Sequence, residues 1–523
     1  MTSPLPRQLF LLGMLVWLAI TLPSLAVYPY PYSDDAWVAA PAENFRRAGN
    51  FGMPLFPDVD GSSQNYPHNG RLYSLALALI FQVAGFGVVQ GRALSVAGAL
   101  VGASVTFAVG RRMYGRWAGL LAGLLYLWCW RMLFSGHVLR PDAWVAAGGM
   151  LLVYAYLHLR HRPPGWSFAA LGLGATLLVD VYTSGVFFTL MLSAALVWDA
   201  LPDLLRHDTR RAAFIRLALF GVGATVGTGW WLAVHLPPDP HLALLQFRRI
   251  AGALSSDIIW PVQVLQTLGG YLLNGFVRFT RLGVVELAYA LAGLGFLLVR
   301  RRPADWLWLR LTGLFVFAYA GTFAFVGLYH LILWMPFLSV AIAAMAVGLG
   351  GWLQQRVRRL PALTPTLWAA GLVAPLLGLY LLGVGYLSFG SLRVDYFGYA
   401  TDLQALVPPG ASVMGESAWY FVLNAATYTD EVYLDYSART DKSPEAVAAL
   451  VAEVVAARGV EYLLVDGDFS HMYRVPGGEV FAAALSAYAD AKCVLLGTVT
   501  GVAYGLEQGG PTERVTRVYR CGG

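Results

Sequence analysis

The stretch "LFLLGMLVWLAITLPSLAVYPYPYSDDAWVAA" (residues 9–40) runs from an apolar segment through a tyrosine-proline turn into two adjacent carboxylates, Asp34 and Asp35. Residues 9–27 match the ~20 residues that carry a helix across the ~30 Å hydrocarbon core of a bilayer. Arg7 is the only charged side chain ahead of the run, and no small-x-small cleavage site follows it before the tyrosines. It therefore reads as an uncleaved first membrane helix and not as a signal peptide. The two acids then fall at the membrane surface.

The rest of the chain repeats the apolar pattern. Its 523 residues are 58% hydrophobic and 13% charged, with a mean hydropathy of +0.59, which suits a polytopic membrane protein far better than a soluble core. Runs of span length or slightly under it cover residues 91–110, 117–135, 143–159, 168–181, 185–200, 213–235, 282–299, 307–327, 331–352 and 366–386, so about eleven spans are expected. Short basic clusters punctuate them: "GRRMYGR" (110–116), "RHRPPGW" (160–166), "LLRHDTRRAAFIR" (204–216), "VRRRPADW" (299–306) and "QQRVRRLP" (354–361). Eleven spans put all five on one side, and the positive-inside rule makes that side cytoplasmic, together with the N-terminus. The apolar stretch "RLYSLALALIFQVAGFG" (71–87) would break this if it crossed, because "GRRMYGR" would then lie outside. It is read as an interfacial or re-entrant helix.

Residues 1–389 hold 27 arginines, no lysine and 14 acids, a net charge of +13, whereas the tail from 390 to 523 has a net charge of −7. The basic balance belongs to membrane loops, so nucleic acid is excluded as a partner. The outer face receives loop 28–70, the turn "SGHVLRPD" (135–142), loop 236–281 and the tail. Strand-like runs appear in the tail at "ASVMGES", "EVYLDY", "VEYLLVDG", "CVLLGTV" and "RVTRVYRC". They flank a helix over 443–459 with Ser443 as cap, Pro444 at the first position and Gly459 as stop. Residues 1–389 thus form a mainly α, polytopic membrane domain, and 390–523 a small extracytoplasmic α/β domain. Cys129 sits in an apolar run; Cys493 and Cys521 lie in the tail, where one disulfide is open to them if the tail is exported.

Candidate functional residues gather on the outer face. Ser33 can cap a helix starting near Ala36, with Asp34 and Asp35 complementing its dipole. Equally, a carboxylate there, partly desolvated by Tyr28, Tyr30, Tyr32 and Trp37, can act as a general base or hold an acceptor. "HVLRPDAW" (137–144) brings His137, Arg140 and Asp142 to the same face, with Pro141 opening the next helix; charges at membrane depth tend to mark ligand pathways. His68 and Arg71 in "NYPHNGRLYSL" (65–75) can cap the re-entrant helix or contact a phosphate or sugar. Arg248, Arg249, Arg278 and Arg281 stand outside, against the topological trend, where a guanidinium fork suits an anionic ligand such as a lipid-linked phosphate and interfacial snorkelling is the alternative. Tyr329 and His330 end an outer helix, as phosphate contacts or aromatic-belt anchors. The nine histidines are scattered, with no zinc-type cluster.

An acidic pair after the first span, a proline-rich re-entry, "GRALSVAGALVGASVTFAVGRRMYGRWAGLLAGLLY" (91–126), an aspartate closing the next outer turn and a final soluble domain together resemble the GT-C superfamily of integral-membrane glycosyltransferases. Within it the chain looks most like the branch of protein O-mannosyltransferases and lipid A aminoarabinose transferases. The likeness is best over residues 5–200 and does not extend to the tail beyond its position. It implies that the first acid of the outer loop, here Asp34, is the base or acceptor-positioning group. Asp35 replaces the family's usual glutamate, which leaves open which acid works. Asp142 matches the later outer-turn acid and Arg92 the arginine opening the next span. The resemblance further implies transfer of a sugar, with inversion, from a polyprenyl-phosphate donor to a protein, lipid or glycan acceptor on the non-cytoplasmic face of the plasma (inner) membrane. This branch generally works without a metal, so no cofactor is expected, although a divalent cation would fit between Asp34 or Asp35 and Asp142. Two other classes compete. A lipid or sugar transporter or flippase would place its ionisable residues near the midplane, where only Asp180 and Glu286 fall, and would tend to show inverted repeats. A sensor or scaffold would not need eleven spans.

Overall fold

A computed structural model describes residues 4–57, 59, 61–66, 70–237, 239–246, 260–278, 281–322, 328–357, 364–437, 442–467, 478–504 and 511–522. The first helices are α1 (Leu5–Thr21), α2 (Ser33–Ala48), α3 (Arg71–Ala84), α4 (Val88–Tyr114), α5 (Arg116–Trp128), α6 (Trp130–His137), α7 (Asp142–Leu159), α8 (Trp166–Val181), α9 (Val186–Leu204) and α10 (Arg210–His235). Long helices follow at Arg281–Arg300, Pro303–Thr322, Met335–Arg356 and Pro365–Ser391. Each of the eleven apolar runs thus holds a helix among the described residues. Among the described residues, eight helical segments are long and apolar enough to cross a membrane; α5 and α6, bent by 59°, make a ninth if taken as one span. Of the other two expected spans, α8 has only 16 residues, and Pro303–Thr322 carries Asp305 and Arg310.

Helix α3, at 14 residues, rises about 21 Å and falls short of the hydrocarbon thickness. Tyr73, Leu77 and Phe81 are buried, while Leu75, Leu79 and Val83 form an exposed apolar stripe four residues apart. One face packs on the protein and one suits lipid, as for a helix lying in the interface. Where α8 crosses α10, Gly172 and Gly223 let the backbones touch: a Cβ on either would run into a carbonyl of the other helix.

The basic cluster at 110–116 meets the one at 299–306 and the end of α7 at one end of the bundle. Arg112 donates to the carbonyl of Leu157 at 3.1 Å, the Tyr114 hydroxyl to that of Ala304 at 3.3 Å, and Arg310 to Asp199 at 2.6 Å. The two acids expected nearer the midplane, Glu286 and Asp180, are both tied up. Glu286 is ion-paired with Arg131, just past the α5–α6 break, and accepts from the Tyr380 hydroxyl. Asp180 accepts from His235 at 2.6 Å, the Trp230 indole at 3.0 Å and the Arg71 amide at 3.1 Å.

The tail forms a five-stranded sheet in the order β2-β1-β3-β5-β4, with β1 Ser412–Gly415, β2 Thr427–Asp430, β3 Tyr462–Val465, β4 Cys493–Tyr504 and β5 Pro511–Cys521. β1 pairs in parallel with β2 and β3, and β5 runs antiparallel to β3 and β4. Cys493 and Cys521 face each other across β4 and β5 and form a disulfide. The helix Pro444–Ala457 has Ser443 as its cap, accepting from the Ala446 amide at 3.4 Å. "EVYLDY" is not a strand: the strand is "TYTD" just before it. The Asp430 carboxylate accepts from the Val432 amide at 2.8 Å, closing a side-chain turn that ends β2.

The tail is fastened to the first outer loop. Arg514 donates to Glu416 at 2.6 Å and to Asp466 at 3.1 Å, and its guanidinium lies between the rings of Trp419 (4.5 Å) and Tyr30 (4.9 Å). The Trp37 indole donates to Asp430 at 2.7 Å. Burial holds the Asp430 carboxyl above its ordinary range, only partly offset by the hydrogen bonds it accepts from Ser417, Trp37 and Val432. Replacing Arg514 by Met leaves Glu416 and Asp466 buried without their cation, at a cost of about 3–5 kcal/mol. Limited proteolysis of the purified protein is expected to release the tail far faster in Arg514→Met than in wild type.

Candidate active site

Helix α2 begins at Ser33, not near Ala36, and its cap is Tyr32, not Ser33. This places Asp34 and Asp35 in the first turn, where two carboxylates favour the positive end of the helix dipole. Side chains one residue apart point about 100° apart round a helix, so the two acids meet different surroundings.

Asp35 faces inward and is fully buried. Arg92 in the first turns of α4 donates to it through Nε (3.0 Å) and Nη2 (2.7 Å). The remaining nitrogen, Nη1, donates to the carbonyls of Leu25 (3.0 Å) and Pro29 (2.7 Å). Asp35 also accepts from the Leu139 amide at 2.7 Å and the Tyr32 amide at 3.4 Å. The pair therefore holds the end of the first helix, the tyrosine-proline turn, the start of α2 and the turn before α7 in one knot. His137 lies behind it, fully buried, with Nδ1 3.3 Å from the Tyr28 carbonyl and its ring edge-on to Trp17.

Asp34 faces the other way. Its Oδ2 accepts from Arg140 Nη1 at 2.6 Å and from the Tyr32 hydroxyl at 3.0 Å. Arg140 donates through Nε to Asp142 Oδ2 at 2.7 Å, so one guanidinium bridges two acids 108 residues apart in sequence. It is set by Ser95, whose hydroxyl accepts from the Arg140 amide (3.3 Å) and donates to its carbonyl (3.1 Å), and by the ring of Tyr182 at 5.9 Å. Asp142 Oδ1 makes no hydrogen bond among the described residues and lies 3.8 Å from His330 Nε2. Beyond His330 stand the rings of Tyr319 (6.3 Å), Tyr271 and Trp334. Of the three acids only Asp34 reaches solvent: its side chain is 18% exposed, against 0% for Asp35 and Asp142.

The structure therefore gathers Asp34, Asp142, Arg140 and His330 at one centre. It sets Asp35, Arg92 and His137 in the packing behind that centre. Arg71, expected as a ligand contact, is buried elsewhere: its guanidinium donates to Asn65 and to the Tyr66 carbonyl (3.4 Å) and lies 4.5 Å from the Phe51 ring, and its amide caps onto Asp180. It braces the far end of the first loop. His68, Arg248 and Arg249 lie outside the described residues, and no side-chain placement is described for Arg278, Arg281 or Tyr329. Arg140 occupies the space between Asp34 and Asp142 where a divalent cation would fit. Among the described residues, no three His, Cys, Asp or Glu side chains are grouped to hold a metal. Sequence reading missed Ser95, Tyr182 and Tyr319; Tyr182 had one available signal, an aromatic at the α8–α9 break in "VDVYTSG".

The helical bundle, the acid-bearing first loop and the tail sheet make up the GT-C fold. No protein-family model matches the chain, and no curated protein is similar to it. Among solved structures it is similar to ArnT from Cupriavidus metallidurans in the apo state, with a TM-score of 0.60 and 14% identity, covering 97% of this chain and 97% of that one. The same enzyme bound to undecaprenyl phosphate gives 0.58 and 13% over 99% and 98%. An Archaeoglobus fulgidus oligosaccharyltransferase tethered to an acceptor peptide gives 0.56 and 11%, over 94% of this chain and 72% of that one. Identities this low establish the fold, and activity must be argued from the site.

The two acids should respond differently to the same substitution. Asp35→Asn leaves Arg92 buried without its counter-charge and is expected to lose about 3–5 kcal/mol. Asp34→Asn leaves Arg140 paired with Asp142 and is expected to stay within about 1 kcal/mol of wild type. Thermal unfolding of the two detergent-purified variants measures the contrast.

Proposed function

We propose that the chain is an inverting glycosyltransferase that moves a sugar from a polyprenyl-phosphate donor to an acceptor on the non-cytoplasmic face of the plasma (inner) membrane. The observation that carries the reading is that Asp34 alone among Asp34, Asp35 and Asp142 is open to solvent, and that a cation it shares with buried Asp142 holds it in place. Undecaprenyl phosphate bound to the similar ArnT structure supports a lipid-phosphate donor.

In this reading Asp34 takes the proton of an acceptor hydroxyl as that oxygen attacks the anomeric carbon. The bond from the anomeric carbon to the phosphate oxygen breaks on the opposite face, and its electron pair leaves with the lipid phosphate. A carboxylate base across from the leaving group is the arrangement by which inverting glycosidases activate water. Arg140 holds and aims the Asp34 carboxylate, and Asp142 fixes Arg140. His330, Tyr329 and the outer arginines Arg248, Arg278 and Arg281 are assigned to the phosphate, whose charge grows as the bond breaks. The disulfide in the tail and the basic clusters at the opposite end of the bundle both support an outer location for site and tail.

The transporter reading loses its support, because Glu286 and Asp180 are locked in buried partnerships. Sugar transfer from a radiolabelled undecaprenyl-phosphate donor in proteoliposomes is expected to vanish in Asp34→Asn with membrane expression unchanged; full transfer in that variant would remove Asp34 from the mechanism. Arg140→Gln is expected to reduce kcat about 10²–10³-fold, the range for losing one preorganised charge-stabilising group.

A further inference from the structure

β4 is the last strand of the tail sheet, with β5 on one side only. Its 12 residues make it about twice the usual strand length. The pairing pattern tells which of its main-chain groups face outward. The Cys521 amide donates to the Glu461 carbonyl at 2.8 Å, so Cys521 and every second residue before it, Tyr519 and Arg517, turn their main-chain groups toward β3. The alternate residues Thr516, Arg514 and Thr512 turn theirs toward β4, where they meet Val499, Gly501 and Ala503. Pro511 agrees with this: it has no N–H, and it stands opposite Tyr504 in a pair that exchanges no bonds of its own. Thr498, Thr500 and Val502 fall between the bonded residues of β4 and point their N–H and C=O out of the sheet. Among the described residues no strand pairs with them. Natural edges are blunted by charge, proline, a bulge or brevity. β4 has a bulge between Leu495 and Gly497, but beyond it "TVTGVAY" (498–504) carries neither charge nor proline. The side chains of Thr498, Thr500 and Val502 are exposed, as is that of Val515 beside them. The other face of the same strands is buried. There the Tyr399 hydroxyl donates to the Val499 carbonyl at 2.9 Å and to Thr516 at 2.7 Å, and Arg514 lies against Tyr30 of the first outer loop.

We propose that β4 pairs with β4 of a second copy of this chain, antiparallel about Thr500, so that two tail sheets join edge to edge in a symmetric dimer. The pairing does not depend on the function proposed above. With Thr500 on the two-fold axis, Thr498 of each copy faces Val502 of the other, and all three outward residues find partners in both copies. This register also sorts the charges on the open face. β5 sets Arg517 beside Thr498 and Glu513 beside Val502. The row from Arg517 to Thr498 of one copy therefore continues into Val502 and Glu513 of the other, so each row ends in opposite charges and like charges do not meet. A two-fold axis between antiparallel strands stands perpendicular to their sheet. The buried face of this sheet rests on the first outer loop, at the outer end of the bundle, so the axis points away from the membrane. That is the direction two copies sharing one bilayer require. The symmetric fit, in main-chain groups, charge and orientation together, is what favours a second copy over a strand of another protein.

Cysteine cross-linking of the full-length protein in proteoliposomes tests the proposal. Background is low, because Cys129 is buried and Cys493 and Cys521 are bonded to each other. Thr500→Cys stands on the axis and is expected to give a linked dimer on mild oxidation. Thr498→Cys and Val502→Cys each lie about 13 Å along the strand from their own symmetry mates. Each alone is expected to link poorly, and the two mixed in one membrane to link well. A second arm co-expresses two differently tagged copies. Two copies with Thr500→Lys, or two with Thr500→Glu, are expected to co-purify about tenfold less than wild type, because like charges meet on the axis. One copy of each is expected to recover to about the wild-type level, which also shows that both variants fold. Three results would overturn the proposal. One is cross-linking at Thr500→Cys no greater than at Glu453→Cys, on the exposed side of the helix Pro444–Ala457. The second is co-purification of two lysine copies at the wild-type level. The third is a lysine and glutamate pair that fails to recover, which would leave the edge to a strand of another protein.

Discussion

The Arg92–Asp35 pair is the constraint on which the outer half of the molecule depends. Moving two charges out of water costs several kcal/mol each, and the cost is recovered only if every donor and acceptor is used. Here they nearly all are: the guanidinium satisfies both carboxylate oxygens and two carbonyls, and the carboxylate takes two amides besides. Four separate pieces of chain must arrive together for this to happen. Such a pair adds little net stability over an apolar packing, but it fixes geometry, because no other arrangement of the turn leaves the charges satisfied.

With Asp35 committed inward, the helical step leaves Asp34 on a different bearing, toward Arg140. That arginine carries one positive charge against two carboxylates. Its aim comes from Ser95, Asp142 and Tyr182, on three different elements. The base role proposed for Asp34 calls for this rigidity, because the carboxylate must meet a hydroxyl within hydrogen-bond reach.

The tail extends the same economy. Tyr30, in the turn held by Arg92, lies against Arg514 and beside Trp419, and Trp37 of α2 reaches Asp430. The domain that looks detached in sequence is thus anchored on both sides of Asp34.

The sequence by itself determined the helical bundle, the short helix after the first loop and most of the tail strands. Each rests on local periodicity and on the cost of burying charge in lipid, which do not depend on distant partners. It also brought Asp34, Arg140, Asp142 and His330 to one face. It did not divide Asp34 from Asp35 or Arg140 from Arg92, and it offered Arg71 and His137 on equal terms with them. Those distinctions are orientational: which way a side chain points from a helix turn, and what waits there, is set by contacts between segments tens to hundreds of residues apart. Only the tertiary structure brings Leu139, Arg92 and Pro29 around one carboxylate and leaves its neighbour facing out.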